Sequence, residues 1–339
     1  MEDVLGGRTD PARFETFLAD WEAILARRVD EALATFRDIE GLHGLVLAGS
    51  VGRGEPWPLS DLDLLPIYAD DRIASAAAEV ERRRLVLLRR WVVEGWWTGL
   101  DIGRLRFTRG EVERALGAGE ATMCELLRDD RWYFSLDKGF GSQALLDPDG
   151  TTTTFAQWLT ARRFAPAIVR FRLDRERREI RAAQSRLEDA VRDRDPLTAT
   201  WHLREAVKWV QTWHLEQWGH RDNSLGRFGT RFAAVANARG AGQLVEALEA
   251  LSDLDGASVL RRFETAPDWV GERHDRSWRA RRHVGEPISK LQDARDSLRV
   301  CAHYGMRGVT APPYPAWLAI PDEATIAVKV AELRQIVAR

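Results

Sequence analysis

The apolar positions of this chain follow two different periods, and the change from one to the other divides it. Phe14, Phe17, Leu18, Trp21, Leu25, Val29, Ala32, Leu33 and Phe36 recur at helical spacing and predict one amphipathic helix over 11–39, with Asp10 as its cap and Pro11 at its first position. Two short apolar runs follow: Leu45 to Ala48 and, opened by Ser60-Asp61-Leu62-Asp63, the stretch through Ile67. Each has strand length and is bounded by turn residues. Asp70-Asp71 would cap a second helix running to about Trp91, whose alternating arginines and aliphatics predict a half-exposed face. Thr98 to Thr108, TGLDIGRLRFT, predicts a further strand, 110–130 a helix, and Arg131 to Leu136 and Ala144 to Leu146 two short strands. Beyond Asp147-Pro148-Asp149-Gly150, a turn signal, no strand pattern recurs. Helices over 155–194, 198–218, 228–252, 256–266, 275–304 and 321–338 predict a bundle. The expected class is α+β: residues 1–150 form a mixed sheet flanked by helices, and residues 151–339 a helical domain.

Composition narrows the class further. With 45% hydrophobic and 30% charged residues over 339 positions, the chain is long enough for two globular domains. A formal net charge of −2 and a pI near 6.4 argue against a surface built to hold nucleic acid. Cys124 and Cys301 are far apart and lack metal-site spacing, which predicts two reduced, buried thiols and favours the cytoplasm. The N-terminal residues carry no basic and apolar signal, and no apolar run approaches the length of a membrane span, so no membrane partner is expected.

The candidate chemistry sits where the second apolar run begins. Residues two apart in a strand share a face, so Asp61 and Asp63 would hold their carboxylates side by side, roughly 6–7 Å apart along the backbone. Hard cations such as Mg²⁺ take carboxylate and phosphate oxygens together, which makes the pair a candidate clamp for a metal and a nucleotide's phosphates. Gly49-Ser50, ending the first run, supplies the other half. The glycine lets the backbone approach a phosphate, and the serine hydroxyl and following amides can donate to it. Arg53 lies within reach of the same loop and would either pair with a phosphate or face solvent. Pro56-Trp57-Pro58 rules out a long regular helix in the connection and would shape a lip of the pocket instead. On its own, an acidic pair at a strand end is most often a solvated surface feature.

Taken jointly, Gly-Ser ending one apolar run, ten residues, and Asp-Leu-Asp opening the next resemble the signature of the DNA polymerase beta-like nucleotidyltransferase superfamily, over about Gly44 to Phe107. That resemblance implies a third carboxylate on a neighbouring strand, farther along the chain, which Asp101 would supply. Asp61, Asp63 and Asp101 would then ligate two Mg²⁺ ions, with Gly49, Ser50 and Arg53 beside the phosphates of a nucleoside triphosphate, ATP by preference. The reaction implied is transfer of a nucleoside monophosphate to an acceptor hydroxyl, with release of pyrophosphate. A catalytic domain followed by a helical substrate domain looks like the aminoglycoside and lincosamide nucleotidyltransferases, which implies a small-molecule acceptor. A protein side chain, an RNA 3′ end, and a nucleotide-binding or antitoxin-like module without turnover stand as alternatives. Both a monomer and a homodimer are compatible with this plan.

Within the helical half, Trp201 to Trp218 carries two stripes. Leu203, Val207, Val210 and His214 look like core, whereas Trp201, Glu205, Trp209, Thr212 and Glu216 combine rings and carboxylates, as a pocket for a sugar or a cationic amine would. Packed tryptophans and solvated glutamates are the plainer account. Should that stripe face the metal site, Glu205 is the candidate base for the acceptor's proton, with Glu216 in reserve. Arg276 and His283, in the basic run ERHDRSWRARRH, have a spacing similar to that of helical ribonucleases of the HEPN type; a solvated or phosphate-facing basic helix is the simpler account.

Overall fold

The computed structural model describes residues 11–94, 98–221, 226–309 and 311–338; Asp10, expected as a cap, lies outside them. Two compact units divide between Phe171 and Arg172. The first opens with α1 (Pro11–Phe36), kinked at Asp20, then β1 (Leu42–Ala48), the single turn α2 (Gly49–Gly52), β2 (Leu62–Tyr68) and α3 (Ile73–Val93). It continues through β3 (Leu100–Ile102), β4 (Phe107–Thr108), α4 (Arg109–Leu116), α5 (Glu120–Leu126), α6 (Asp130–Gly139), β5 (Gln143–Leu146) and α7 (Thr151–Arg162) to the start of α8 (Pro166–Arg192). The strands make one mixed sheet in the order β3-β2-β1-β5, with β4 also on β2. β1 is antiparallel to β2 and β5, and β3 and β4 are parallel to β2.

Side-chain alternation sorts the two faces of the sheet. Leu45, Leu47, Leu62, Leu64, Leu100 and Ile102 pack with Phe36 of α1 and with Val80, Leu87 and Trp91 of α3. Val46, Ala48, Leu65, Ile67 and Phe107 pack instead with Val112, Trp132, Leu136, Phe155 and Leu159 from α4, α6 and α7. Both faces are covered, so β1 and β2 read as continuous apolar runs rather than as alternating ones.

Several expected elements differ in the structure. Arg131 to Leu136 is not a strand but part of α6: the Asp129 side chain accepts from the Arg131 amide at the helix start, and Trp132 and Leu136, four apart, bury the same face. The aromatic run has strand propensity, and packing overrides it. Asp70-Asp71 does not cap α3, which has no side-chain cap; Asp70 accepts the Gly110 amide at the start of α4, 3.0 Å away. The Thr98–Thr108 strand breaks at Gly103, where φ is +97°, into β3 and β4. The 110–130 helix is interrupted around Gly117 to Gly119. Asp147 in the expected turn accepts the amides of Thr152 and Thr153 at the start of α7.

Among its described residues the second unit contains helices and connections but no strand. After the remainder of α8 come α9 (Pro196–Gln217), α10 (Phe228–Ala238), α11 (Gly242–Leu251), α12 (Gly256–Glu264), α13 (Asp268–His283), α14 (Lys290–Gly305) and α15 (Glu323–Val337). The expected single helices over 155–194, 228–252 and 275–304 are each split in two. One core gathers Leu203, Val207, Val210, Phe228, Phe232, Leu248 and Val330; another gathers Leu254, Val259, Leu298, Met306 and Trp317. Both cysteines are free thiols, Cys301 buried and Cys124 partly so. No described helix is long and apolar enough to cross a membrane.

Candidate active site

Parity decides which residues of β2 and β3 meet. Leu62, Leu64, Leu100 and Ile102 fill one face, so the intervening Asp63 and Asp101 belong to the other, the face that carries α6. Parallel pairing puts these two directly in register, Leu62 with Leu100 and Asp63 with Asp101. Asp61, of the same parity, stands one residue before β2 and is exposed at its mouth. Asp63 is only 4% exposed, and Asp101 is intermediate.

The α2 turn closes against this edge. Gly49 has φ +64°, and a Cβ there would lie 2.0 Å from Asp63 Oδ2, a contact no side chain can make. Glycine is therefore required twice over, by conformation and by the approach of the carboxylate. Ser50 Oγ lies 2.9 Å from Ser60 Oγ, which also accepts the Trp57 amide at 3.0 Å. Those bonds tie the turn to the segment leading into Asp61. Trp57 is buried, so the Pro56-Trp57-Pro58 stretch anchors the connection. Gln143 of β5 donates to the Gly52 carbonyl at 3.0 Å and pins the end of the turn. Arg53 lies 3.4 Å from Glu55 and packs its stem against Gly141.

Lys138, in the last turn of α6, completes the cluster. Its Nζ donates to Asp63 Oδ1 at 2.5 Å. Burial pushes the Asp63 carboxyl up to about 7, and the neighbouring Asp61 charge adds to this; Lys138 opposes both. Burial also works against the Lys138 ammonium, but the charges of Asp63, Asp61 and Asp101 outweigh it and hold its pKa above the ordinary lysine value. The space bounded by Asp63, Asp101, Leu105 and Lys138 is about 10 Å³, roughly room for one water or one ion. Carboxylate oxygens around an ion-sized space suit a hard divalent cation. Among the described residues, no three acidic, imidazole or thiol side chains stand close enough together, as placed, to hold a metal.

The structure thus brings Gly49, Ser50, Asp61, Asp63 and Asp101 to one strand edge, in the first unit. Glu205 lies on α9 in the second unit, bonded to Arg186 at 3.2 Å and to His202 at 3.0 Å. Glu216 is buried on Arg172, 3.1 Å away. Arg276 is partly buried and His283 exposed at the end of α13. Lys138 escaped the sequence reading because it followed a segment taken for a strand; the Asp129 cap with Trp132 and Leu136 four apart was the signal for a helix that carries it to the site. Compared with known proteins, the chain matches no family model and no curated sequence.

Proposed function

We propose that the chain is a Mg²⁺-dependent nucleotidyltransferase, moving a nucleoside monophosphate, AMP from ATP by preference, to a hydroxyl of a small-molecule acceptor. The observation that carries this is the pairing of Asp63 with Asp101 across β2 and β3, beside a glycine turn that approaches Asp63 too closely for any Cβ. Asp61, Asp63 and Asp101 would hold the metal, which supplies charge neutralisation at the transferring phosphorus and lowers the acceptor hydroxyl's pKa. The chain's own residues do the rest. The Gly49-Ser50 turn orients the phosphates through its amides and the Ser50 hydroxyl, which Ser60 holds in place. The acceptor oxygen attacks the α-phosphorus, the bond to the bridging oxygen breaks, and pyrophosphate leaves with that oxygen. The acceptor's proton passes to a base, the role the sequence reading gives Glu205 on the condition that its stripe faces the metal site. An aminoglycoside-like acceptor fits a helical second unit in a chain whose net charge is −2, a balance that disfavours nucleic acid.

A nucleotide-binding module without turnover is the alternative, and the engagement of Asp63 by Lys138 favours it. One experiment separates the two: pyrophosphate release from each ribonucleoside triphosphate with Mg²⁺ and a panel of aminoglycosides, lincosamides, tRNA and proteins. Acceptor-dependent release that falls at least about 100-fold in Asp63→Asn and Asp101→Asn supports the transferase. Release that survives both changes sinks the metal-site reading; Mg²⁺-dependent triphosphate binding without release supports the module.

A further inference from the structure

We propose that Lys138 is the resident counter-cation of the carboxylate cluster and that a divalent cation enters by displacing its ammonium from Asp63, so that metal affinity is set by this exchange; the proposal rests on the metal-site reading above. The two partners are unequal in freedom. The Asp63 side chain is 5% exposed and fixed in a strand, whereas the Lys138 side chain is 31% exposed on a flexible stem. The lysine can leave; the aspartate cannot. Its helix stays, because the adjacent Asp137 is buried on Arg163, 2.5 Å away, and Trp132 and Leu136 are in the core.

Contact and charge both favour an exchange. The ammonium sits on Asp63 Oδ1 at 2.5 Å, beside a space of about 10 Å³ lined by Asp63, Asp101 and Leu105, so an ion drawing on that oxygen takes the ammonium's place on it. Lys138 feels Asp63, Asp61 and Asp101 together, so a single resident charge answers all three acids. A metal must then match the interactions it replaces before it gains any net affinity.

The test uses the full chain without nucleotide, at pH 8.5, with Mn²⁺ as the probe and the free-ion electron paramagnetic resonance signal as the readout. Lys138→Met keeps the stem and removes the charge; Lys138→Gln is the second variant if the first does not fold, and Lys138→Arg keeps the charge. Expected is saturable Mn²⁺ binding by the wild type, lost in Asp63→Asn, and at least about tenfold tighter in Lys138→Met, with Lys138→Arg close to wild type. In EDTA the Lys138→Met protein melts below wild type, and Mg²⁺ closes the gap; a lysine that served packing alone would leave the gap open. Unchanged or weaker Mn²⁺ binding in the neutral variants, with binding still dependent on Asp63, overturns the proposal and leaves the metal site standing. No saturable binding by the wild type, or binding kept in Asp63→Asn, overturns the metal site itself and the proposal with it.

Discussion

Gly49→Ala tests the feature that distinguishes this strand edge from an ordinary acidic surface. The new Cβ would meet Asp63 Oδ2 at 2.0 Å, Cγ at 2.8 Å and Cβ at 3.0 Å, at a residue whose φ is +64°. The left-handed backbone costs a residue with a Cβ roughly 1–2 kcal/mol, and crowding a well-packed neighbour costs roughly 1–3 kcal/mol more. Together these give roughly 2–5 kcal/mol. Gly54 supplies the control within the same loop, because its φ is +71° and a Cβ there meets nothing within 4 Å. Gly54→Ala therefore reports backbone strain alone. The two variants are compared by hydrogen exchange of the β1 and β2 amides across a urea series, so that only the sheet unit reports. Gly49→Ala should lose about 1–3 kcal/mol more than Gly54→Ala, with Mn²⁺ binding weakened at the displaced Asp63. A difference below about 0.5 kcal/mol would mean that Asp63 yields freely to the methyl group and that the turn does not hold it.

Three further outcomes follow from the second unit. Burial raises the Asp293 carboxyl to about 6 against the Ser277 hydrogen bond and the Arg281 charge, while Asp296 and Glu286 add to the rise and His274 lies 3.5 Å from Oδ2. The folded state then holds a proton that the unfolded state has released, so this group's stabilising contribution is present below pH 4 and lost as pH rises through 6. The difference in stability between wild type and Asp293→Asn should slope by up to about 1.4 kcal/mol per pH unit in that window, and a flat difference in denaturant titrations at pH 4, 5 and 6 counts against it. Glu216→Gln, which leaves Arg172 buried opposite a neutral amide with the Glu176 carboxylate 3.9 Å away, should cost roughly 1–3 kcal/mol. Glu205, a third exposed and paired at the surface, should cost under about 1 kcal/mol as Gln; if it is the base, that variant loses turnover at least about 100-fold with its melting temperature unchanged.

Much of the strand edge was legible because its physics is local. The period-two rule placed Asp61 and Asp63 on one face, and Gly49 was read as a point of close backbone approach. Asp101 was legible only through the family resemblance, since nothing in TGLDIGRLRFT states that β3 will pair with β2 in parallel and in that register. Boundaries set by tertiary contacts were out of reach. Asp70 could cap either the helix that follows it or a helix forty residues on, and the sheet chose the second. Glu216 illustrates the same limit: in a helix, a carboxylate bound for a pocket and one bound for a buried arginine have the same spacing.

Lys138, which escaped the sequence reading, shows why element type matters more than composition. As a strand, Arg131 to Leu136 would have buried every second residue and ended well short of the carboxylates. As a helix, Trp132 and Leu136 face the core together, and Lys138 emerges two residues later, in the last turn, over Asp63. A lysine among three acids is then not a surface pairing that salt would dissolve, since Asp63 is nearly inaccessible and the ammonium offsets part of the burial that raises its carboxyl. Lys138 supplies positive charge here from the chain itself, and on the proposed exchange a metal gains the site only by taking its place on Asp63.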